Sequence, residues 1–586
     1  MKKFLFFIPL AAMLVSCDDL FEPAIENNLG IDHMYNNANY AEGILANGYT
    51  RIPIGSYPFS EVATDDAVSN DVDNSYRKVA AGSWTSDNNP FDRWTSCKSG
   101  IQYLNMFLER CDKVHWADDE IVSQMFCDRE KAEAYALRAM FNYYLLEAHG
   151  GYTSDGTLLG VPILEVAESQ ASNFNIPRNS FVECVEAIRA DAARALEVLP
   201  WEYADSESMT KLQARYSNAA MSQINRVFGN NFCGRISGRV VEAFLAKLNL
   251  LGASPAYAEA SGISWIEAAD AGAKVLDRIG GVNGLDPTGN TWYCNKADID
   301  NISASSIPAE VLWMSERSKS NSLEKDNYPP SLYGSGRINP TQNFVDAFPM
   351  ANGYPISNVK GEYDAANPYA DRDPRLAAYV TYNGMTSGLS NGTVTTAVDG
   401  TNNDALNKLT GSSTRTGYYL RKLLRQDISL DPNGTTEEYH YTPRIRYTEM
   451  FLLYAEAANE AWGPTGSGSH GYSAYDVVKA IRQRAGIGIE NGDEYLESIK
   501  GDKEKMRELI RNERRIELSF EGHRFWDLRR WKAELNETAT GMSISGNAYS
   551  VIDVEKRNYN KDYMFYGPIP YSEVLKFSEL IQNKGW

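Results

Sequence analysis

The chain has 586 residues, of which 43% are hydrophobic, so it can bury the core of one large domain or of two to three ordinary ones. Acidic residues outnumber basic ones by 77 to 57, which gives a formal net charge of -20 at pH 7. A polyanion such as nucleic acid would be repelled by this charge. The composition therefore indicates a globular protein and argues against a nucleic-acid partner.

The first sixteen residues predict an export signal. Lys2 and Lys3 precede an apolar run from Phe4 to Val15, which is shorter than the roughly 20 residues that a membrane-spanning helix needs. The run ends in LVSC, which resembles the lipobox of bacterial lipoproteins. The resemblance implies cleavage before Cys17 and attachment of lipid to its sulfur, which would hold the mature protein on a membrane. An ordinary signal peptide is the alternative.

The remaining cysteines show no C-x-x-C pair and no cluster with the six histidines, so the sequence argues against a zinc site. An exported protein can form disulfides, but a chain with this much core does not need them. We therefore expect buried free thiols and no metal or other cofactor. The cysteines concerned are Cys97, Cys111, Cys127, Cys184, Cys233 and Cys294.

Three segments predict helices that start with a capping box. The boxes open at Ser180, Ser264 and Ser473, each followed three residues later by an acidic residue. Each segment follows another helix-like segment, and small residues alternate with aromatic ones in these pairs. The pairs resemble tetratricopeptide-like repeats, but their spacing is too irregular for a solenoid with a period of about 34 residues. We predict imperfect helical repeats within a larger body.

The composition changes between about residues 286 and 441. Asn, Ser, Gly and Pro are frequent there, and helical periodicity is weak, so we expect loops and short strands. Long insertions in a rigid scaffold often carry function. The aromatic residues of this region are no denser than elsewhere, but their loop setting favours exposure.

Recognisable catalytic motifs are absent: no P-loop, dinucleotide fingerprint, H-E-x-x-H or G-x-S-x-G occurs. Paired carboxylates could hydrolyse glycosides, and Asp65, Asp66, Asp71 and Asp73 lie close together in the sequence. Among 77 acidic residues such pairs arise by chance, and this stretch fails the calcium-loop template. The sequence therefore predicts no catalytic residue.

Residues 511–531, RNERRIELSFEGHRFWDLRRW, concentrate arginine, acidic and aromatic side chains. The first part continues a helix that starts near Asp502 and carries opposite charges at i, i+3 spacing, and Gly522 separates it from a second short helix. The interspersed acids argue against a nucleic-acid patch, and His523 has no evident catalytic partner. We interpret the stretch as scaffold, with Trp526 in an aromatic plug.

This stretch also resembles the C-terminal signature of the SusD/RagB family of outer-membrane nutrient-binding lipoproteins. Seven further segments resemble the same family. They are the lipobox with CDDLFEP, EAYALRAMFNYYLLEAHGGYTSDGTLLGVPI, PTQNFVDAFPMANGYPI, RDPRLAAYV, RYTEMFLLYAEAANEAWG, AIRQRAGI and the ending YGPIPYSEVLKFSELIQNKGW.

The resemblance implies a mostly α-helical, SusD-like fold. Four imperfect tetratricopeptide-like helix pairs would form the scaffold, and a loop-rich region with short strands would bind the ligand. The expected regions are a lipoprotein signal peptide at 1–16, an N-terminal helical region at 17–285, the loop-rich insertion at 286–441 and a C-terminal helical region at 442–586.

The same resemblance implies a non-catalytic lipoprotein, anchored at the cell surface through Cys17. It would capture oligosaccharides and act as the lid of a SusC-like TonB-dependent outer-membrane barrel. The alternatives are a peptide-binding member of the family, a surface lipoprotein glycoside hydrolase, and a structural partner of the barrel with no ligand of its own.

Candidate ligand contacts follow from the family's starch-binding type, which places half of the site after the acidic loop and half in the central loops. Aromatic rings can stack on the apolar face of a sugar, while Arg and Asn can bond its hydroxyls. The implied contacts are Arg77, Trp84 and Asn88 in the first half and Trp292, Tyr328 and Tyr333 in the second. The resemblance also places Trp94 and Asn105 in the core.

Overall fold

The structure is a computed structural model, and it describes residues 30–53, 55–205, 210–303, 306–559 and 561–586. The predicted signal peptide and the proposed lipidation site at Cys17 lie outside the described residues. Within those ranges, no helix is both long and apolar enough to cross a membrane.

Helices make up most of the regular structure. The α-helices are α1 (Ala38–Tyr49), α2 (Ser75–Lys78), α3 (Trp94–Leu108), α4 (Glu120–His149), α5 (Phe181–Val198), α6 (Thr210–Arg215), α7 (Met221–Phe228), α8 (Gly238–Ala253), α9 (Ala258–Ser261), α10 (Trp265–Asp277), α11 (Lys296–Asp300), α12 (Ser322–Asn327), α13 (Gln342–Ala347), α14 (Pro374–Tyr379), α15 (Tyr447–Trp462), α16 (Ala474–Arg484), α17 (Glu494–Ile499), α18 (Lys503–Glu517), α19 (Arg524–Arg530) and α20 (Tyr571–Lys576).

Eight of these helices pack as four pairs. Helix α1 lies against α3, α4 against α5, α8 against α10, and α15 against α16. Neighbouring pairs also touch, because α3 contacts α4, α5 contacts α8, and α10 contacts α15. The prediction of a mostly α-helical fold built on four imperfect helix pairs is confirmed.

Local sequence signals explain how these helices start and how closely they approach. Capping boxes at Ser180, Ser264 and Ser473 are present as predicted, and each such cap typically contributes about 1 kcal/mol. Helices α3 and α4 meet at Gly100, where an added Cβ would lie 2.7 Å from Cε2 of Phe141. Only glycine permits this approach without displacing the ring.

The strands are short and pair antiparallel in twos. They are β1 (Ala67–Ser69) with β6 (Ile338–Pro340), β2 (Gly151–Tyr152) with β3 (Leu158–Leu159), β4 (Val311–Met314) with β12 (Pro443–Arg446), β5 (Ser318–Ser320) with β11 (Glu438–His440), β7 (Val380–Thr381) with β10 (Tyr419–Leu420), β8 (Thr386–Ser387) with β9 (Gly392–Thr393), and β13 (Ala539–Ser545) with β14 (Ala548–Glu555).

The largest hydrophobic core lies between the helix pairs, and a second core lies under the central loops. Trp94 and Asn105 belong to the first region with 2% and 1% of their surface exposed, as predicted. The Asn105 side chain accepts a hydrogen bond from Arg138 Nη1 at 2.7 Å and donates to the Leu164 carbonyl at 3.0 Å. A buried amide is tolerated here because its polar atoms are paired.

Helix α18, whose C-terminal half begins the 511–531 stretch, is held in a buried ionic network. Its Glu513 lies 2.8 Å from Arg375 and 2.9 Å from Arg482. The i, i+3 spacing of opposite charges in this helix would pair Arg514 with Glu517 at the surface, but Arg514 pairs instead with Asp527 of α19 at 2.8 Å. The local expectation fails because α18 is covered by other elements, so its charged side chains meet partners from distant parts of the chain.

Helix α19 forms the predicted aromatic plug. Phe525 stacks on Phe91, and Trp526 meets both rings edge-on. The guanidinium of Arg93 lies 4.6 Å from the centre of the Trp526 ring. These contacts join the C-terminal stretch to the N-terminal region and support its interpretation as scaffold.

The cysteines of the described ranges are free thiols. Cys97, Cys111, Cys127 and Cys184 are buried, as expected. The expectation of burial is wrong for two others: Cys233 is half-buried and Cys294 is exposed, since both lie in irregular segments outside the α-helices.

Candidate ligand-binding site

The first three predicted contacts lie around α2 and the loop that follows it. Arg77 forms an ion pair with Glu555 at 3.0 Å. Asn88 is exposed, but its amide donates to the Ser83 carbonyl at 2.7 Å and so closes the loop. Both polar groups are therefore engaged within the protein.

Trp84 is only 3% exposed. Its ring packs edge-on against Phe525, Tyr559 and Trp586, and its indole N–H donates to Asn89 at 3.0 Å. Burial on this scale leaves the ring no free face for a sugar to stack on in this conformation. Trp84 is part of the aromatic cluster beside α19.

The second three predicted contacts divide between two cores and the surface. Trp292 is 2% exposed and packs against Tyr441 in the core under the central loops. Tyr328 is 1% exposed, and its hydroxyl donates to the Arg425 carbonyl. Tyr333, by contrast, is 58% exposed. Of the six predicted residues, Tyr333 combines an aromatic ring with a large exposed surface.

The two halves of the predicted site do approach each other through the backbone. Strand β1 pairs with β6, so the segment before Arg77 runs beside the segment after Tyr333. The Asn70 amide reinforces the pairing by donating to the carbonyls of Gly336 at 2.8 Å and Ser335 at 3.0 Å. The six side chains nevertheless do not converge, because Trp84, Trp292 and Tyr328 belong to three separate clusters.

A groove of about 240 Å³ opens beside Tyr333, and three segments of the loop-rich region form it. We call it the Tyr333 groove. Its lining residues are Tyr328, Ser331, Leu332, Tyr333, Gly388, Leu389, Ser390, Ile428, Ser429, Leu430 and Asp431.

The backbone holds Tyr333 in an uncommon conformation. Tyr333 follows a single 3-10 turn, Pro330–Leu332, and has φ 65° and ψ 20°, in the left-handed region. A bulky residue pays a steric cost there, and such residues cluster at functional sites. The turn is anchored because the Ser331 N–H donates to buried Asp404 at 2.8 Å. The fold thus presents the ring outwards on a fixed turn.

The opposite wall is the tip of the β8–β9 hairpin. Leu389 at this tip is 56% exposed, so it extends the apolar surface of the groove. Gln426 anchors the hairpin by accepting hydrogen bonds from the Ser387 hydroxyl at 2.9 Å and the Gly388 N–H at 3.0 Å. Sequence reasoning missed this wall, because the Gly, Ser and Asn residues around Leu389 indicate a turn but do not show that the turn faces Tyr333.

Polar groups complete the rim. Ser331 and Ser390 are exposed, and Ser429 and Asp431 are half-buried. Asp431 is held in place because its Oδ1 accepts from the Asn433 backbone at 2.8 Å and side chain at 3.0 Å. A carboxylate and several hydroxyls around exposed apolar side chains can bond the hydroxyls of a ligand that also has an apolar face.

The acidic residues that suggested glycoside hydrolysis lie elsewhere and are engaged. Buried Asp65 forms ion pairs with Arg515 at 2.8 Å and Arg524 at 2.7 Å, and Asp66 forms one with Arg515 at 2.6 Å. Burial alone would raise the pKa of Asp65, but the two guanidinium groups outweigh it and hold the pKa below its usual range. Asp73 is exposed and pairs with Lys78 at 3.0 Å. This cluster ties the acidic loop to α18 and α19.

Solved structures define the class of fold. A SusD-like protein from Bacteroides fragilis NCTC 9343 has 24% sequence identity and a TM-score of 0.70, with 95% of this chain and 98% of that chain covered. A SusD-like carbohydrate binding protein from the same organism has 21% sequence identity and a TM-score of 0.66, with 93% of this chain and 99% of that chain covered. A laminarin binding SusD-like protein has 17% sequence identity and a TM-score of 0.56, with 94% of this chain and 100% of that chain covered. The fold is SusD-like.

Sequence comparisons define the family. The model of the SusD family matches residues 309–586, and a second model, described as starch-binding associating with outer membrane, matches residues 31–228.

SusD-like protein P2 of Formosa agariphila is 32% identical over 155 residues, which are 26% of each chain. SusD-like protein P38 of the same organism is 36% identical over 85 residues, 14% of this chain and 16% of that one. The chain thus matches about a quarter or less of the length of these curated relatives. The chain belongs to the SusD/RagB family, whose members associate with the outer membrane.

Proposed function

We propose that the protein is a cell-surface lipoprotein that captures oligosaccharides and delivers them to a SusC-like TonB-dependent barrel, over which it acts as a lid. Family membership supports this role, as do the fold relatives named as carbohydrate binding and laminarin binding. The lipobox-like sequence at Cys17 supports attachment to the outer membrane by lipid.

We place the glycan in the Tyr333 groove. The observation that carries this proposal is the exposed Tyr333 ring, fixed on a strained turn and facing a groove with exposed Leu389 and a polar rim. The C–H face of a sugar ring can cover the tyrosine, while Ser390, Ser429 and Asp431 bond its hydroxyls. Burying both kinds of surface at once favours a sugar over a purely charged or purely apolar ligand.

The other predicted contacts take supporting roles in this proposal. Tyr328 forms the floor of the groove, since its ring is buried beneath Leu332. Trp84 stabilises the aromatic cluster beside α19, and Trp292 stabilises the core under the central loops. Arg77 fixes α2 to the β13–β14 hairpin through Glu555. A direct contact with ligand would require these side chains to leave their present partners.

Isothermal titration of the purified protein against a panel of polysaccharides and peptides tests the function. We expect a glycan to bind with a Kd in the micromolar to millimolar range, without release of reducing ends. Steady release of sugar would contradict a binding role and favour a hydrolase. Binding of peptides alone would favour the peptide-binding alternative, and co-purification with a barrel without any ligand would favour a structural partner.

A further inference from the structure

Two thiols and a carboxylate meet where the segment after α3 touches α4. Cys111 opens a 3-10 turn, Cys111–Lys113, and Cys127 lies near the start of α4. The two Sγ atoms and a carboxylate oxygen of Asp112 lie within 4.8 Å of one another. The separation between Cys127 Sγ and Asp112 Oδ1 is 3.4 Å. Two soft sulfur donors and one hard oxygen donor are therefore close enough together to contact one ion.

The two thiols and the carboxylate differ in their exposure to solvent. Cys111 is fully buried and Cys127 is 7% exposed, while the Asp112 side chain lies at the surface. The thiols are thus protected from bulk solvent, and the carboxylate marks a path by which an ion can enter.

The charges around the cluster would balance a divalent cation. Lys131 Nζ lies 2.9 and 3.0 Å from the two carboxylate oxygens of Asp112. Two thiolates and one carboxylate carry three negative charges, and a divalent cation with Lys131 carries three positive ones.

We propose that Cys111, Asp112 and Cys127 form a binding site for a thiophilic divalent cation of the Zn²⁺ type. A tetrahedral Zn²⁺ places a sulfur and an oxygen ligand about 3.5 Å apart, close to the observed spacing of Cys127 and Asp112. Binding replaces two S–H bonds by two metal–sulfur bonds and releases two protons to solvent, with no change in oxidation state. Three protein ligands leave the fourth position to a solvent molecule on the Asp112 side.

The expected consequence is a clamp between α4 and the segment that follows α3. The 15 residues between Cys111 and Cys127 would be closed into a loop by the ion, which stabilises the folded chain by an amount that rises with the free metal concentration. Sequence reasoning argued against such a site, because neither a C-x-x-C pair nor a histidine is involved. The two thiols come together only through the packing of the Cys111–Lys113 turn on α4.

This proposal is tested by titrating the reduced full chain with Cd²⁺. Binding is measured by the thiolate-to-metal charge-transfer absorption, and Zn²⁺ is then added as a competitor. We expect one ion per chain, tighter binding at higher pH because two protons leave, and a higher Tm with Zn²⁺. Cys127→Ser should abolish the absorption. Asp112→Asn, at an exposed position, should weaken binding by more than about tenfold. Loss of an outer-shell partner already lowers metal affinity by about that factor, and Asp112 would be a direct ligand.

Cys294→Ser is the matched control, because it removes an exposed thiol at a distant position. It should leave stoichiometry and affinity unchanged. The proposal is overturned if the reduced wild-type chain binds no ion, if Cys127→Ser retains binding while folded by circular dichroism, or if Cys294→Ser loses it. A Cys111–Cys127 disulfide in alkylated and digested protein, together with no binding after reduction, would show that the pair serves as a covalent bridge instead.

Discussion

At the scale of single residues, buried charges decide how the structure responds to pH. Glu61 is fully buried, and its Oε1 accepts a hydrogen bond from the Gly522 N–H at 2.9 Å. Its Oε2 has no hydrogen-bond partner among the described residues. Burial raises the pKa of Glu61 to about 7. Glu517 shows the opposite balance: burial opposes ionisation, but Arg484 and Arg375 lower its pKa to about 2.

The raised pKa of Glu61 predicts a loss of stability as the pH rises. The folded state holds a proton up to about pH 7, whereas the unfolded state releases it near the ordinary value of 4.5. The unfolded chain therefore binds fewer protons between these values, and the free energy of unfolding falls with rising pH, by about 3 kcal/mol from this group. Its contribution is complete below pH 4.5 and lost above pH 7.

Glu61→Gln should remove this contribution, which urea denaturation at pH 5 and pH 8 can measure. The free energy of unfolding of the variant minus that of wild type should be more positive at pH 8 than at pH 5. Glu437→Gln, at an exposed position, serves as the control and should leave the difference between the two pH values unchanged. An identical pH dependence in wild type and Glu61→Gln would show that Glu61 ionises normally in the folded protein.

At the scale of elements, α18 and α19 join regions that are far apart in the sequence. Arg515 and Arg524 form ion pairs with Asp65, and Phe525 stacks on Phe91. Most of this could not be predicted from the sequence. Helical periodicity and the i, i+3 charges indicated two helices, but they could not show that Arg514 bonds Asp527, because that contact depends on how the helices pack.

Trp526→Ala tests the interpretation of α19 as a plug. The half-buried ring contacts Phe91, Phe525 and the Arg93 guanidinium, so its removal should lower the free energy of unfolding by about 2 kcal/mol, less than the loss of a fully buried tryptophan. The variant should have a lower Tm in differential scanning calorimetry, while the folded fraction keeps its glycan affinity. A loss of affinity at unchanged Tm would place Trp526 in the ligand site and refute the plug.

At the scale of the whole molecule, a helical scaffold carries a loop-rich region with a surface groove. The capping boxes at Ser180, Ser264 and Ser473 made the helices predictable, because each signal is local. Exposure in the loops was not predictable from residue type. Trp84 lies in a loop, yet it is buried because Phe525 and Tyr559, more than 400 residues away in the sequence, close over it. Leu389 reaches the groove only through long-range packing.

The central claim is that this scaffold presents the Tyr333 groove to a glycan, and one matched pair of variants tests it most directly. Isothermal titration with the glycan that wild type binds should be repeated with Tyr333→Ala and with Tyr571→Ala, which removes another exposed tyrosine at α20. We expect Tyr333→Ala to raise the Kd about tenfold, or about 1.4 kcal/mol, with an unchanged Tm, and Tyr571→Ala to bind like wild type. Wild-type affinity in Tyr333→Ala, or an equal loss in both variants, would contradict the assignment of the groove.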